Sequence, residues 1–287
     1  MKEIVIISGK GGTGKTTLTA SFAYLARDNV LADCDVDAAD LHLLAAPKVL
    51  HEEDFYGGVK AVIDPGRCTQ CGLCTEACRY AAISDDYVVD PLSCEGCSVC
   101  FHVCPVDAVT LEESLNGRWF ISESRLGPMV HAELRPGEEN SGKLVALVRN
   151  QAKVLTGKSG KKLILVDGAP GVGCPVISSV TGADRVVIVT EPTRSGIHDM
   201  LRALELVQGF NIPTSVVINK YDIAPEMGER IHRICSEKQT VVLGSIPYDA
   251  AVTAAMVNGR SVVEFDDGDA SKAIVGIWEK LAETVPS

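Results

Sequence analysis

Short apolar runs recur along the chain, each stopped by a turn or a charge: "EIVIIS", "NVLADCD", "KLILVDG", "RVVIVTEP", "TSVVINK" and "TVVLGSIPYD". Runs of this length, rich in Val and Ile and without polar alternation, predict strands buried on both faces. Between them lie stretches with apolar residues at helical spacing: "TTLTASFAYLAR", "SGKLVALVRNQAKVL", "SGIHDMLRALELVQGF" and "APEMGERIHRICSE". Strands alternating with amphipathic helices predict an α/β fold, a mostly parallel sheet with helices on both faces. The last segment, "ASKAIVGIWEKLAETVPS", reads as a helix packing Ile274, Ile277, Trp278 and Leu281 on one side.

The alternation breaks once, from Pro65 to Leu115, where short turns and cysteines replace it, and then resumes. This predicts a small α+β domain over 65–115, inserted into a larger one made of residues 1–64 and 116–287. The bridge "GRWFISESRLGPMVHAELRPGEEN" supplies a pair of extended segments before a helix that starts near Ser141.

Composition narrows the chemistry. Eight of the eleven cysteines fall between Cys68 and Cys104, leaving Cys34, Cys174 and Cys235 scattered. No run reaches the roughly 18 apolar residues of a membrane span, and "MKEIVIISGKGG" meets glycine too early for a signal peptide. A cytoplasmic protein without stable membrane insertion is expected, and in that reducing setting clustered cysteines point to metal ligation rather than disulfides. The net charge of −11 works against nucleic-acid binding, and the last helix lacks the basic face of a membrane anchor.

"GKGGTGKT", Gly9 to Thr16, satisfies G-x4-G-K-[ST] between a strand and a helix. Gly9, Gly11, Gly12, Thr13 and Gly14 would turn backbone N–H groups toward phosphates, and Thr17 continues into the helix whose N-terminus adds positive potential. Lys15 would neutralise phosphate oxygens, and the Thr16 hydroxyl would ligate Mg2+. With Lys10 included, "KGGTGKT" resembles the deviant Walker A loop of the MinD, ParA and Mrp-type ATPases. That resemblance implies ATP/ADP as ligand and an ATP-sandwich homodimer in which Lys10 reaches the partner's nucleotide.

Other stretches are similar to the same family. In "LADCDVD" the resemblance makes Asp35 the residue that orients the attacking water and Asp33 a support of the magnesium shell. In "LILVDGAPG" it makes Asp167 the Walker B carboxylate and Gly171 the backbone sensor of the γ-phosphate. "INKYD" resembles a base-reading N-K-x-D, placing Asn219 on the purine, and "IPYD" puts Pro247 at the edge of the base pocket.

The cysteines form two runs: Cys68, Cys71, Cys74, Cys78, and Cys94, Cys97, Cys100, Cys104 followed by Pro105. Two-cluster ferredoxins exchange the fourth ligand between runs. The expectation is two 4Fe-4S clusters, one on Cys68, Cys71, Cys74 and Cys104, the other on Cys94, Cys97, Cys100 and Cys78. Structural zinc is the alternative. Arg79 stands where such ferredoxins carry proline, either raising a cluster's potential or lying at the surface.

Together these features resemble the MinD-superfamily P-loop ATPases that carry an inserted ferredoxin domain. The resemblance implies an ATPase whose nucleotide state gates electron transfer with a redox protein. An alternative is cluster delivery to an apo-metalloprotein acceptor, as in Mrp-type proteins, although no late C-x2-C follows Cys104. A MinD-like positioning ATPase is a weaker alternative, which leaves the cysteines unexplained. Cys174 lies seven residues after Asp167, as a cluster ligand does in the similar nitrogenase iron protein, but it lacks a second cysteine and is expected to pack as a small apolar residue, like Cys34 and Cys235. His131 and the stretch holding Glu138, Glu139, Asn140, Ser141 and Lys143 are read as structural, the latter as a helix start.

Overall fold

The computed structural model describes residues 1–136, 138 and 141–284. In chain order its elements are β1 (Lys2–Ser8), α1 (Lys15–Ala26), β2 (Asn29–Asp33), α2 (Leu41–Ala45), β3 (Lys48–Ile63), α3 (Leu73–Ala77), α4 (Val99–Val103), β4 (Val109–Ser124), β5 (Gly127–Leu134) and α5 (Ser141–Ser159). There follow β6 (Leu163–Pro170), α6 (Cys174–Val180), β7 (Arg185–Thr190), α7 (Arg194–Gln208), β8 (Thr214–Asn219), α8 (Pro225–Glu237), β9 (Val241–Ile246), α9 (Ala250–Val257), α10 (Val262–Phe265) and α11 (Asp269–Glu283). Two compact units result: Met1–Glu52 with Trp119–Ala132 and Ser141–Ser287, and Glu53–Arg118 with Glu133–Asn140.

In the first unit the strands run in the order β5-β2-β6-β1-β7-β8-β9, and each neighbouring pair is parallel. Successive residues of a strand point to opposite faces. Ile4 and Ile6 share a core with Phe22 of α1 and Ile274, Ile277 and Leu281 of α11. Val5 and Ile7, pointing the other way, are equally buried, so both faces of the sheet are covered. Trp278 is half-buried against this core, its ring 5.2 Å from that of Phe22. The expected mostly parallel α/β sheet is the fold observed. Its parallel strands bring the C-terminal ends of β1, β2, β6, β7 and β8 to one edge, where open α/β sheets bind ligands.

The second unit takes in more chain than the 65–115 segment read from the sequence. It begins at Glu53 because β3 backs the cysteine loops. A Cβ on Gly96, which has φ +64°, would lie 2.2 Å from the Val59 carbonyl oxygen, so only glycine fits there. The Asp64 amide also donates to the Ala108 carbonyl at 2.8 Å. The short helices α3 and α4 pack together beside these loops. Among the described residues no helix is long and apolar enough to cross a membrane.

Candidate functional site

At the end of β1 the chain turns through Gly12 (φ +77°) and Gly14 (φ +94°) before α1 begins at Lys15. Gly14 is constrained twice, since a Cβ there would also sit 2.5 Å from Nδ2 of Asn219. That Nδ2 donates to the Thr13 carbonyl at 2.8 Å, while Oδ1 of the same side chain accepts from the Lys220 amide at 3.0 Å. The Asn219 side chain thus ties the end of β8 to the phosphate loop. Asp222 accepts from the Tyr248 amide at 2.6 Å, which ties "INKYD" to "IPYD" and sets half-buried Pro247 beside that bond.

Three aspartates gather behind the loop. Asp33 and Asp167 are register partners across β2 and β6, and both are fully buried. Oδ1 of Asp33 accepts from the Asp35 amide at 3.2 Å, and Oδ1 of Asp167 accepts from the Thr19 hydroxyl at 3.2 Å. Oδ2 of each is buried without a partner. Burial pushes the Asp33 carboxyl well up, and proximity to Asp167 pushes it further. Asp167 is raised to about 6, chiefly by burial, against the pull of Lys15 and a hydrogen bond from the Thr16 side chain. Lys15 lies 3.5 Å from Asp35 and is itself buried. Two orphaned carboxylate oxygens on neighbouring strands, with the Thr16 side chain against Asp167, form an oxygen-rich donor set of the kind a hard divalent cation takes.

Lys10 and Gly171 also have partners. Lys10 lies 3.2 Å from Oε2 of Glu191, and Lys220 lies 2.5 Å from Oε1 of the same carboxylate. Burial opposes ionisation of Glu191, yet Lys220 and Lys10 hold its carboxyl below the ordinary range. Gly171 (φ +95°) donates its N–H to the Ser8 carbonyl at 2.8 Å, and the Ser8 hydroxyl donates to the Lys10 carbonyl at 2.6 Å. The sequence reading missed Glu191, a lone carboxylate after β7. The recurrence of site residues just past each strand end was the signal that could have found it.

In the second unit the eight clustered cysteines divide between two cavities. One is lined by Cys78, Cys94, Cys97 and Cys100, the other by Cys68, Cys71, Cys74 and Cys104. Backbone amides donate to three of the sulfurs: Gln70 to Cys68 at 3.4 Å, Ala82 to Cys78 at 3.4 Å and Ala108 to Cys104 at 3.2 Å. Among the described residues no three His, Cys, Asp or Glu side chains converge on a point for one ion. Four thiols round each cavity are the donor set a 4Fe-4S cluster would take, one sulfur to each iron. Arg79 is exposed.

One expectation is corrected. Cys174 is exposed rather than packed in the core, because it opens α6 just past the C-terminal end of β6, whereas Cys34 and Cys235 are buried. A Cβ on Gly142, in the first turn of α5, would sit 3.2 Å from the Cys174 Cβ. His131 is buried, stacked on Phe120 with ring centroids 4.9 Å apart and 2.9 Å from the Ser122 hydroxyl. Burial and the neighbouring His42 lower its pKa to about 4. Glu138 pairs with Lys60 at 3.5 Å, and α5 starts at Ser141; Glu139 and Asn140 lie outside the described residues.

The chain resembles proteins of several kinds. An uncharacterized protein of Methanocaldococcus jannaschii is 34% identical over 99% of this chain and 97% of its own length. A protein of Pyrococcus abyssi named as an iron-sulfur cluster carrier is 28% identical over 47% of this chain and 51% of its own. In fold the chain is similar to the septum site-determining protein MinD of Pyrococcus horikoshii, solved with Mg-ADP, with a TM-score of 0.61 and 17% identity across 99% of this chain and 96% of that one. Residues 4–262 match the CobQ/CobB/MinD/ParA nucleotide-binding domain, and the chain belongs to that family.

Proposed function

We propose that this protein is a Mg2+-dependent ATPase that carries two 4Fe-4S clusters and couples its nucleotide state to electron transfer with a redox protein. The observation that carries this reading is the exchange of the fourth cysteine between runs. Cys78 lines the cavity of the second run and Cys104 that of the first, in a chain that also has an assembled phosphate loop. Such exchange is the mark of a two-cluster ferredoxin.

Thr16, Asp33 and Asp167 would hold Mg2+, which supplies charge neutralisation at the phosphates. Lys15, kept 3.5 Å from Asp35, would turn to the phosphates, leaving Asp35 to orient water. The Gly171 N–H, which donates to Ser8, would turn to the γ-phosphate and move α6 with it. Lys10 would serve the nucleotide of a second copy in a homodimer. Cysteine-held clusters would supply one-electron storage, and backbone amides donate to the sulfurs of Cys68, Cys78 and Cys104.

A second reading, ATP-dependent delivery of clusters to an apo-metalloprotein, draws support from the partial likeness to proteins named as iron-sulfur cluster carriers. One experiment on anaerobically purified protein separates the two. Cluster potentials and cluster loss to an apo-acceptor are measured with and without Mg-ATP. A nucleotide-dependent potential with clusters retained is expected. Rapid transfer would favour delivery, and no response of either quantity to ATP would overturn both.

A further inference from the structure

Lys60, on the part of β3 that backs the cysteine loops, sends its Nζ to the Cys94 carbonyl at 2.9 Å. The same Nζ lies 3.5 Å from Oε2 of Glu138, and that oxygen also accepts from Nδ2 of Asn116 at 2.7 Å. Asn116 is buried, and its Oδ1 takes the Gly57 amide at 2.8 Å. The Lys60 side chain is 20% exposed and that of Glu138 15%, so bulk ions screen neither charge fully. By contrast Arg67, which donates to the Val106 carbonyl beside Cys104, is exposed. A fixed, poorly screened cation one residue's length from a cluster ligand stabilises the reduced, more negative cluster, and a carboxylate paired with that cation offsets it.

We propose that Lys60 and Glu138 set the reduction potential of the cluster held by Cys78, Cys94, Cys97 and Cys100, with opposite signs. The inference rests on reading the two cysteine sets as 4Fe-4S sites. Lys60 acts as a positioning residue and an electrostatic one. Its amino group pins the Cys94 loop to β3, and its charge favours uptake of an electron. Glu138 holds the lysine in place and removes part of that effect. Glu138 lies three residues ahead of α5, in the stretch through which the chain re-enters the nucleotide-binding unit.

The test is a reductive titration of the full-length, anaerobically purified chain by dithionite, followed by electron paramagnetic resonance, together with iron determination. In Lys60→Met one of the two one-electron steps should move to lower potential. In Glu138→Gln, which keeps the acceptor for Asn116, the same step should move to higher potential. Lys60→Arg, which keeps the charge, should stay near the parent value and separates charge from loop packing. Unmoved steps in both Lys60→Met and Glu138→Gln, with about eight iron atoms per chain, would overturn the inference and leave the cluster reading intact. A parent chain without iron would overturn both.

Discussion

Glu191 grips Lys10 through one carboxylate oxygen at 3.2 Å and Lys220 through the other at 2.5 Å. Lys10, in the phosphate loop, is thus held within its own chain by a residue just past β7. On the proposed role of Lys10, removing the charge in Glu191→Gln should free it for the nucleotide of a second copy. If the pair contributes about 1.4 kcal/mol, ATP-dependent self-association should tighten about tenfold. Sedimentation with and without Mg-ATP reads this, and Lys220→Met serves as the control for the second pair. Unchanged association in Glu191→Gln would mean that the carboxylate does not restrain Lys10.

Gly14 answers to both backbone and neighbour, with φ +94° and the Asn219 amide where a Cβ would stand. Gly14→Ala should destabilise the fold by about 1–3 kcal/mol and weaken nucleotide binding more than Asn219→Ala does, because the latter only unties the loop from Asn219. Thermal unfolding paired with binding of a fluorescent nucleotide measures both quantities.

Asp167 is fully buried and its pKa is raised to about 6. A carboxyl whose folded pKa exceeds its unfolded value destabilises the fold as pH rises from the unfolded value through the folded one, and the cost is complete above that. Asp167→Asn should therefore unfold at higher temperature or denaturant at pH 8, by on the order of 2–3 kcal/mol, while losing ATP hydrolysis. The gain should vanish near pH 4. A variant less stable than the parent at pH 8 would contradict a burial-dominated shift.

His131 works in the opposite sense. Its pKa, lowered to about 4, keeps the folded ring neutral, so stability is lost as pH falls from the unfolded value near 6.5 toward 4. Since Asp167 titrates over much of the same window, the informative quantity is the difference between the parent and His131→Gln in denaturant unfolding. That difference should shift in favour of the variant as pH falls from 6.5 to 4. A constant difference would show that burial does not suppress protonation.

Cys78→Ser tests the exchange of ligands between the cysteine runs. About half of the iron should be lost, with the remaining signal unchanged by a further Cys97→Ser and abolished by Cys71→Ser. Loss of the signal in Cys78→Ser with Cys97→Ser would instead assign Cys78 to its own run.

The parallel sheet was legible because continuous Val and Ile runs have one stable setting, a strand covered on both faces. The phosphate loop was legible because its glycines and lysines act within a few residues of one another. β3 was not. Its first seven residues, Lys48 to Asp54, are all exposed, so no apolar alternation marks the strand. Glu191 and Lys60 escaped for another reason, since each acts on residues remote in sequence that only strand order or loop packing brings within reach. Cys174 was misjudged because residue type alone does not reveal that a helix begins just past the end of β6.

Ser8 terminates the central strand and serves two masters, its carbonyl taking the Gly171 amide and its hydroxyl the Lys10 carbonyl. Neither loop can be retuned in isolation. A substitution that shifts the turn after β6 alters the footing of the phosphate loop as well, so compensating changes should arise in pairs across these two segments, with Ser8 the fixed point between them.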